Sequence, residues 1–136
     1  MRLTNGKILA IVGVMHSLFG LTPFAFGKQF HGFSSRYFFM ISDGLVEFPL
    51  LNGQMNYENF AGFWFVYFGL LLVPLGVLLN HIEVRDGQMP ESFVWTYLIV
   101  VLIGVYMIPF SGMTVIMLPH ALYMGYQVKF RNISKV

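Results

Sequence analysis

Glycine returns every seven residues at Gly6, Gly13, Gly20 and Gly27, within and beside an apolar run, and Ala10 and Ser17 fall at the half-steps. On a helix this spacing holds the small side chains on one face. A second helix can then approach almost backbone to backbone. A matching ladder, Gly62, Gly69 and Gly76, lies in the next long apolar run. The two ladders predict neighbouring helices that meet in a left-handed crossing. His16 stands at the edge of the first seam, so it is expected to face the bundle interior and the fourth helix, not lipid.

Composition decides where such helices reside. Hydrophobic residues make up 57% of the 136 residues and charged ones only 10%, far from the roughly 25% charged of a soluble domain. A core this small cannot hide that many apolar groups, whereas a bilayer covers them from outside. The expectation is an all-α integral membrane protein: a four-helix up-down bundle forming a single transmembrane domain over 1–136. An amphipathic interfacial or re-entrant segment is expected between helices 1 and 2. The absence of cysteine excludes disulfides and thiolate-ligated metal sites. The basic residues sit at the ends of apolar runs and form no patch, so they read as topology signals and not as a nucleic-acid surface.

The spans follow from run length, since crossing about 30 Å of hydrocarbon takes about 20 residues. The first is expected at about 8–26, with Pro23 bending or ending its last turn; a signal peptide ending near Ala25 and Gly27 is the competing reading. The second, at about 60–81, opens on the aromatic group Phe63-Trp64-Phe65 and contains Pro74. The third runs from Ser92, a candidate N-cap, to about 108. Pro109-Phe110-Ser111-Gly112 breaks it, and a fourth spans about 113–128. Six Lys and Arg (Arg2, Lys7, Arg85, Lys129, Arg131, Lys135) fall on one side and only Lys28 and Arg36 on the other. That split places both termini in the cytoplasm and the protein in the inner membrane. Asn132-Ile133-Ser134 matches a glycosylation sequon that this orientation leaves unused.

Mid-membrane ionisable residues are functional candidates by default. His16 and His120 come out at similar depth and form a pair if their faces meet. The bland alternative is that each ties helices together through a hydroxyl or carbonyl. Ser17, Trp64, Tyr67 and Tyr123 complete the candidate ligand-binding set, and Tyr123 and Gln127 extend a polar stripe from His120 at steps of three and four. Between the first two spans, Arg36, Asp43 and Glu47 would share one face of a capping segment at about 36–51, over the outer mouth of the bundle. No metal site is expected, because no carboxylate falls at helical spacing from either histidine. No Walker loop, GxGxxG, nucleophile elbow or HExxH string occurs.

The run AGFWFVYFGLLLVPLGVLL, the acidic turn beyond it, IPFSGMTVIMLP and VGVMHSLFG together resemble small four-span bacterial membrane proteins of an uncharacterised family, DUF6463. Phe63, Trp64 and Phe65, and Pro109, Ser111 and Gly112, carry the likeness. Met113 and Thr114 stand where the family's turn has Phe-Trp. The resemblance implies a four-helix membrane fold and no activity.

The expected function is binding of a lipid-like or small hydrophobic ligand in an intramembrane pocket near His16. One alternative is a redox or proton-handling module in which His16 and His120 hold a b-type haem or do acid–base chemistry; otherwise no cofactor is expected. The other is a structural or accessory subunit, assembling with itself or a larger membrane complex through its glycine seams. The partners expected are the lipid bilayer and the hydrophobic ligand.

Overall fold

A computed structural model describes residues 3–37, 50–51, 54–55 and 57–133. The protein is all-α, with helices α1 (Asn5–Gly20), α2 (Gly27–Tyr37), α3 (Tyr57–Asp86), α4 (Glu91–Met107) and α5 (Leu118–Ile133), and a π-helical turn at Met113–Met117 leading into α5. One two-residue antiparallel pair, β1 (Leu50–Leu51) with β2 (Gln54–Met55), precedes α3 and sets Leu50 opposite Met55. The chain clusters into two compact units, Ile8–Gly76 and Met1–Lys7 with Val77–Val136.

Within Ile8–Gly76, α1 buries Leu9, Gly13, Ser17 and Gly20, while α3 buries Gly62, Val66, Gly69, Leu72 and Gly76. Steps of three and four residues are the period of a helix seam. α1 and α3 lie side by side along these seams: a Cβ at Gly13 would lie 2.6 Å from the Gly69 carbonyl oxygen, and one at Gly20 would lie 2.7 Å from the Phe65 ring. No side chain larger than hydrogen fits these contacts.

α1 ends at Gly20, six residues short of the expected 8–26 span. Thr22 precedes Pro23, whose ring disfavours helical geometry at the residue before it. Thr22 instead makes a tight turn, its N–H bonding the Phe19 carbonyl at 2.9 Å and its hydroxyl the same oxygen at 2.7 Å. Gly27 therefore leaves the ladder. A Cβ there would meet the Leu21 and Thr22 carbonyls at 2.6 and 2.8 Å, so this glycine serves the turn. It also opens α2, which the expected 36–51 cap overlaps only at Arg36 and Tyr37. Of that cap, Arg36 lies in the last turns of α2, and Asp43 and Glu47 lie outside the described residues.

α3 continues past Pro74 and, in the other unit, runs from Val77 to Asp86 and stops at Gly87, whose φ of +70° is the left-handed geometry of a helix C-terminus. α4 begins at Glu91 after Pro90, so Ser92 lies inside the helix and is not its N-cap. α4 buries Val94 and Val101 and packs on α5, which buries Ala121 and Met124. Leading into α5, the Leu118 N–H reaches back five residues to the Met113 carbonyl. Pro119 accounts for this wide turn, because its ring would clash with the Val115 carbonyl in a regular α-helix and it has no N–H to offer.

Candidate functional site

In Ile8–Gly76 two consecutive side chains of α1 take hold of two consecutive carbonyls of α3. His16 Nε2 donates to the Phe65 carbonyl at 3.1 Å. A carbonyl only accepts, so Nε2 carries the proton. Ser17, buried, has its hydroxyl 3.0 Å from the Val66 carbonyl and 3.1 Å from that of Gly13 in its own helix. The imidazole stacks on the Phe65 ring at 4.0 Å between centroids and 21° between planes, with Phe26 at 4.8 Å from the same ring. Gly69 makes the clamp possible: a Cβ there would fall on the Ser17 hydroxyl and come within 2.9 Å of both the Gly13 carbonyl and the His16 ring.

Beside this clamp α3 contributes to a groove of about 150 Å³, lined by Phe30, Phe63, Val66, Tyr67 and Leu70. Its lining surface is wholly apolar. Phe30 comes from α2, whose first turn is held against α3 where Gly62 has no side chain; a Cβ there would lie 3.0 Å from Gln29 Cβ. His16 and Ser17 are not among its lining. Of the sequence candidates, Tyr67 lies in the groove wall. Trp64 points outward and packs on its own helix, against Phe63 at 5.4 Å and Tyr67 at 6.0 Å.

In the other unit His120 is buried at 8% exposure, its Nδ1 3.3 Å from the Tyr97 hydroxyl and the two rings edge-on at 5.9 Å. Its Nε2 is buried with no partner among the described residues. Of the expected polar stripe, Gln127 turns inward and accepts from Asn5 Nδ2 at 2.8 Å. Tyr123 faces outward, half exposed. The three residues span almost two turns, and on α5 the buried line passes through Met124, which leaves Tyr123 off it.

A polar knot that the sequence analysis missed closes the start of α1. Thr4 caps the helix by accepting from the Lys7 N–H at 3.3 Å and donates to Asn80 Oδ1 at 2.6 Å. Glu83 accepts from Asn5 Nδ2 at 2.9 Å and from the Gly6 N–H at 3.3 Å, placing its carboxylate at the positive end of the α1 dipole. The signal was a polar Thr4-Asn5 pair ahead of an apolar helix, a pattern that marks helix starts generally.

A family model, Family of unknown function (DUF6463), matches residues 2–129, a stretch that contains the glycine ladders, the Phe63-Trp64-Phe65 entry and the Pro109–Gly112 turn. The chain belongs to this family. The match covers both compact units, and thus the His16–Ser17 clamp, the groove and the polar knot alike. No curated protein and no solved structure matches the chain. Membership confirms the family assignment read from the sequence and carries no activity with it, since the family's function is unknown.

Proposed function

We propose that this protein is a four-span integral membrane protein that binds a small hydrophobic ligand, such as a lipid acyl segment, in the α2–α3 groove. The observation that carries the reading is the groove itself: about 150 Å³, lined by Phe30, Phe63, Val66, Tyr67 and Leu70. That volume is below the range of roughly 300–1,000 Å³ for whole drug-sized ligands. It is on the scale of the roughly 150 Å³ apolar cavity that accepts one benzene ring. A chain segment or a single ring fits; a bulky headgroup does not.

Two features support the membrane setting. α3 is long and apolar enough to cross a bilayer, and only 33% of its most apolar window is buried inside the protein. A core helix of a soluble protein is buried on most faces. Large apolar side chains such as Ile11, Met15, Leu78, Ile99 and Ile103 stand more than half exposed, a surface that water-soluble monomers rarely present. The remaining spans, the inner-membrane location and the cytoplasmic termini belong to this proposal and rest on the charge split.

The clamp weighs against the two alternatives. Haem ligation by His16 Nε2 would require breaking its bond to the Phe65 carbonyl. Assembly through the glycine seams would require the seams to be open, and Gly13, Gly20 and Gly69 are already filled from within the chain. In this reading His16 and Ser17 hold the α3 backbone that forms one groove wall. Native mass spectrometry tests it: the wild-type protein released from micelles is expected to retain an acyl lipid, and Leu70→Trp, which fills the groove, is expected to lose it. Equal retention by both proteins would refute the assignment.

A further inference from the structure

The polar knot of Met1–Lys7 with Val77–Val136 contains one atom whose chemistry identifies what is missing. Asn5 is 4% exposed, and its Oδ1 is buried with no partner among the described residues. Which end of the amide is unpartnered does not depend on how the side chain is drawn. The Glu83 carboxylate 2.9 Å away only accepts, so the atom facing it must be Nδ2. Gln127, 2.8 Å from that same Nδ2, must in turn present its oxygen. Glu83 fixes Asn5, and Asn5 fixes Gln127. The orphan is thus an acceptor, set in a knot already rich in acceptors: among the described residues Glu83 Oε1 and Gln127 Oε1 accept from Asn5 Nδ2, Glu83 Oε2 from the Gly6 N–H and Asn80 Oδ1 from the Thr4 hydroxyl.

A buried acceptor without a donor costs about 1–3 kcal/mol, and the Glu83 charge adds to the demand for a positive guest. Arg85, two residues along α3, does not meet it, since its guanidinium is engaged with Asp86 at 2.7 and 3.0 Å. We propose that Asn5 Oδ1 and Glu83, with Gln127 beside them, form a binding site for a monovalent cation of the sodium or potassium class. Charge sets the valence: the knot holds one carboxylate, and among the described residues no group of three or more His, Cys, Asp or Glu comes together. Neutral amide oxygens with one carboxylate suit a singly charged ion, whereas calcium takes six to eight oxygens and several carboxylates. The site is separate from the apolar groove and does not depend on it.

The test is thermal unfolding of the full detergent-solubilised chain in sodium, potassium or choline chloride at equal ionic strength. The expected result is a saturable rise in Tm with sodium or potassium and none with choline. Glu83→Gln is expected to weaken the apparent cation affinity about tenfold or more, as the loss of a charge-assisted contact does, and Asn5→Ala to do likewise. Should a variant not fold, ²³Na line broadening on the wild-type protein reads the site directly and is expected to be reversed by competing potassium. Identical unfolding in all three salts with unbroadened ²³Na lines would overturn the proposal, leaving Asn5 Oδ1 to a water. Stability that follows pH but not cation would overturn it too, in favour of a proton.

Discussion

Ser17 keeps its hydroxyl on the Val66 carbonyl because Gly69, three residues further along α3, has no side chain. A methyl at Gly69 would displace that hydroxyl and press on the Gly13 carbonyl, and the carbonyl belongs to a helix backbone that cannot rotate away. Gly69→Ala is therefore expected to destabilise the protein by about 1–3 kcal/mol, the usual cost of overpacking, measured by reversible denaturation in mixed micelles. Gly112→Ala is the control: nothing lies within 4 Å of its Cβ position, and its effect should stay within about 0.5 kcal/mol.

The two grips of the clamp are separable. Ser17→Ala removes one interhelical hydrogen bond, and such bonds average about 0.6 kcal/mol in membrane proteins, with a maximum near 1.7. His16→Phe preserves an aromatic ring against Phe65 and removes only the donor, so it should cost a similar amount, whereas His16→Ala also loses the 4.0 Å stack and should cost more. Because the two residues hold adjacent carbonyls, the double variant should depart from the sum of the singles. Strict additivity in the same denaturation assay would mean that the two bonds act independently.

Pro119 is expected to maintain the π turn at Met113–Met117. In Pro119→Ala the restored N–H has the Val115 carbonyl as an α-helical partner, so the wide turn should tighten to α-helix. Hydrogen exchange at residue 119 in that variant should then show protection. Fast exchange there would mean that the Pro109–Gly112 loop, and not the proline, imposes the π geometry.

The topology is open to single-cysteine scanning, since the chain contains no cysteine. Gln88 and Phe110 are both exposed, in the α3–α4 turn and in the loop after α4. With cytoplasmic termini, Gln88→Cys should react with an impermeant maleimide only in inside-out vesicles, and Phe110→Cys only in right-side-out ones. Reaction of both from the same side would contradict the up-down arrangement.

The glycine ladders were enough to place α1 beside α3, because a small-residue seam at helical period constrains its partner to carry one too. The register, with Gly13 against Gly69, does not follow from them, because ladders of equal spacing can slide by seven residues. The residues around the seam were harder to read. His16 and Ser17 looked like ligand contacts because the sequence does not show that they meet the carbonyls of Phe65 and Val66. The early end of α1 depends on the turn that Thr22 and Pro23 build, and a hydrophobic run does not record where that turn falls. Asn5, Glu83 and Gln127 converge from three helices, a relationship between distant positions that no local pattern carries. The groove likewise needs α2, whose Phe30 lies ahead of the capping segment expected at about 36–51.

The most direct test of the proposed function is photolabelling in native-composition vesicles with a fatty acid carrying a diazirine on its chain, followed by peptide mapping. The account predicts that labelling concentrates on Phe63, Tyr67 and Leu70, saturates with probe concentration, and is suppressed in Leu70→Trp. Labelling spread evenly over outward-facing positions such as Ile99 and Ile103, without saturation and unchanged in Leu70→Trp, would contradict it.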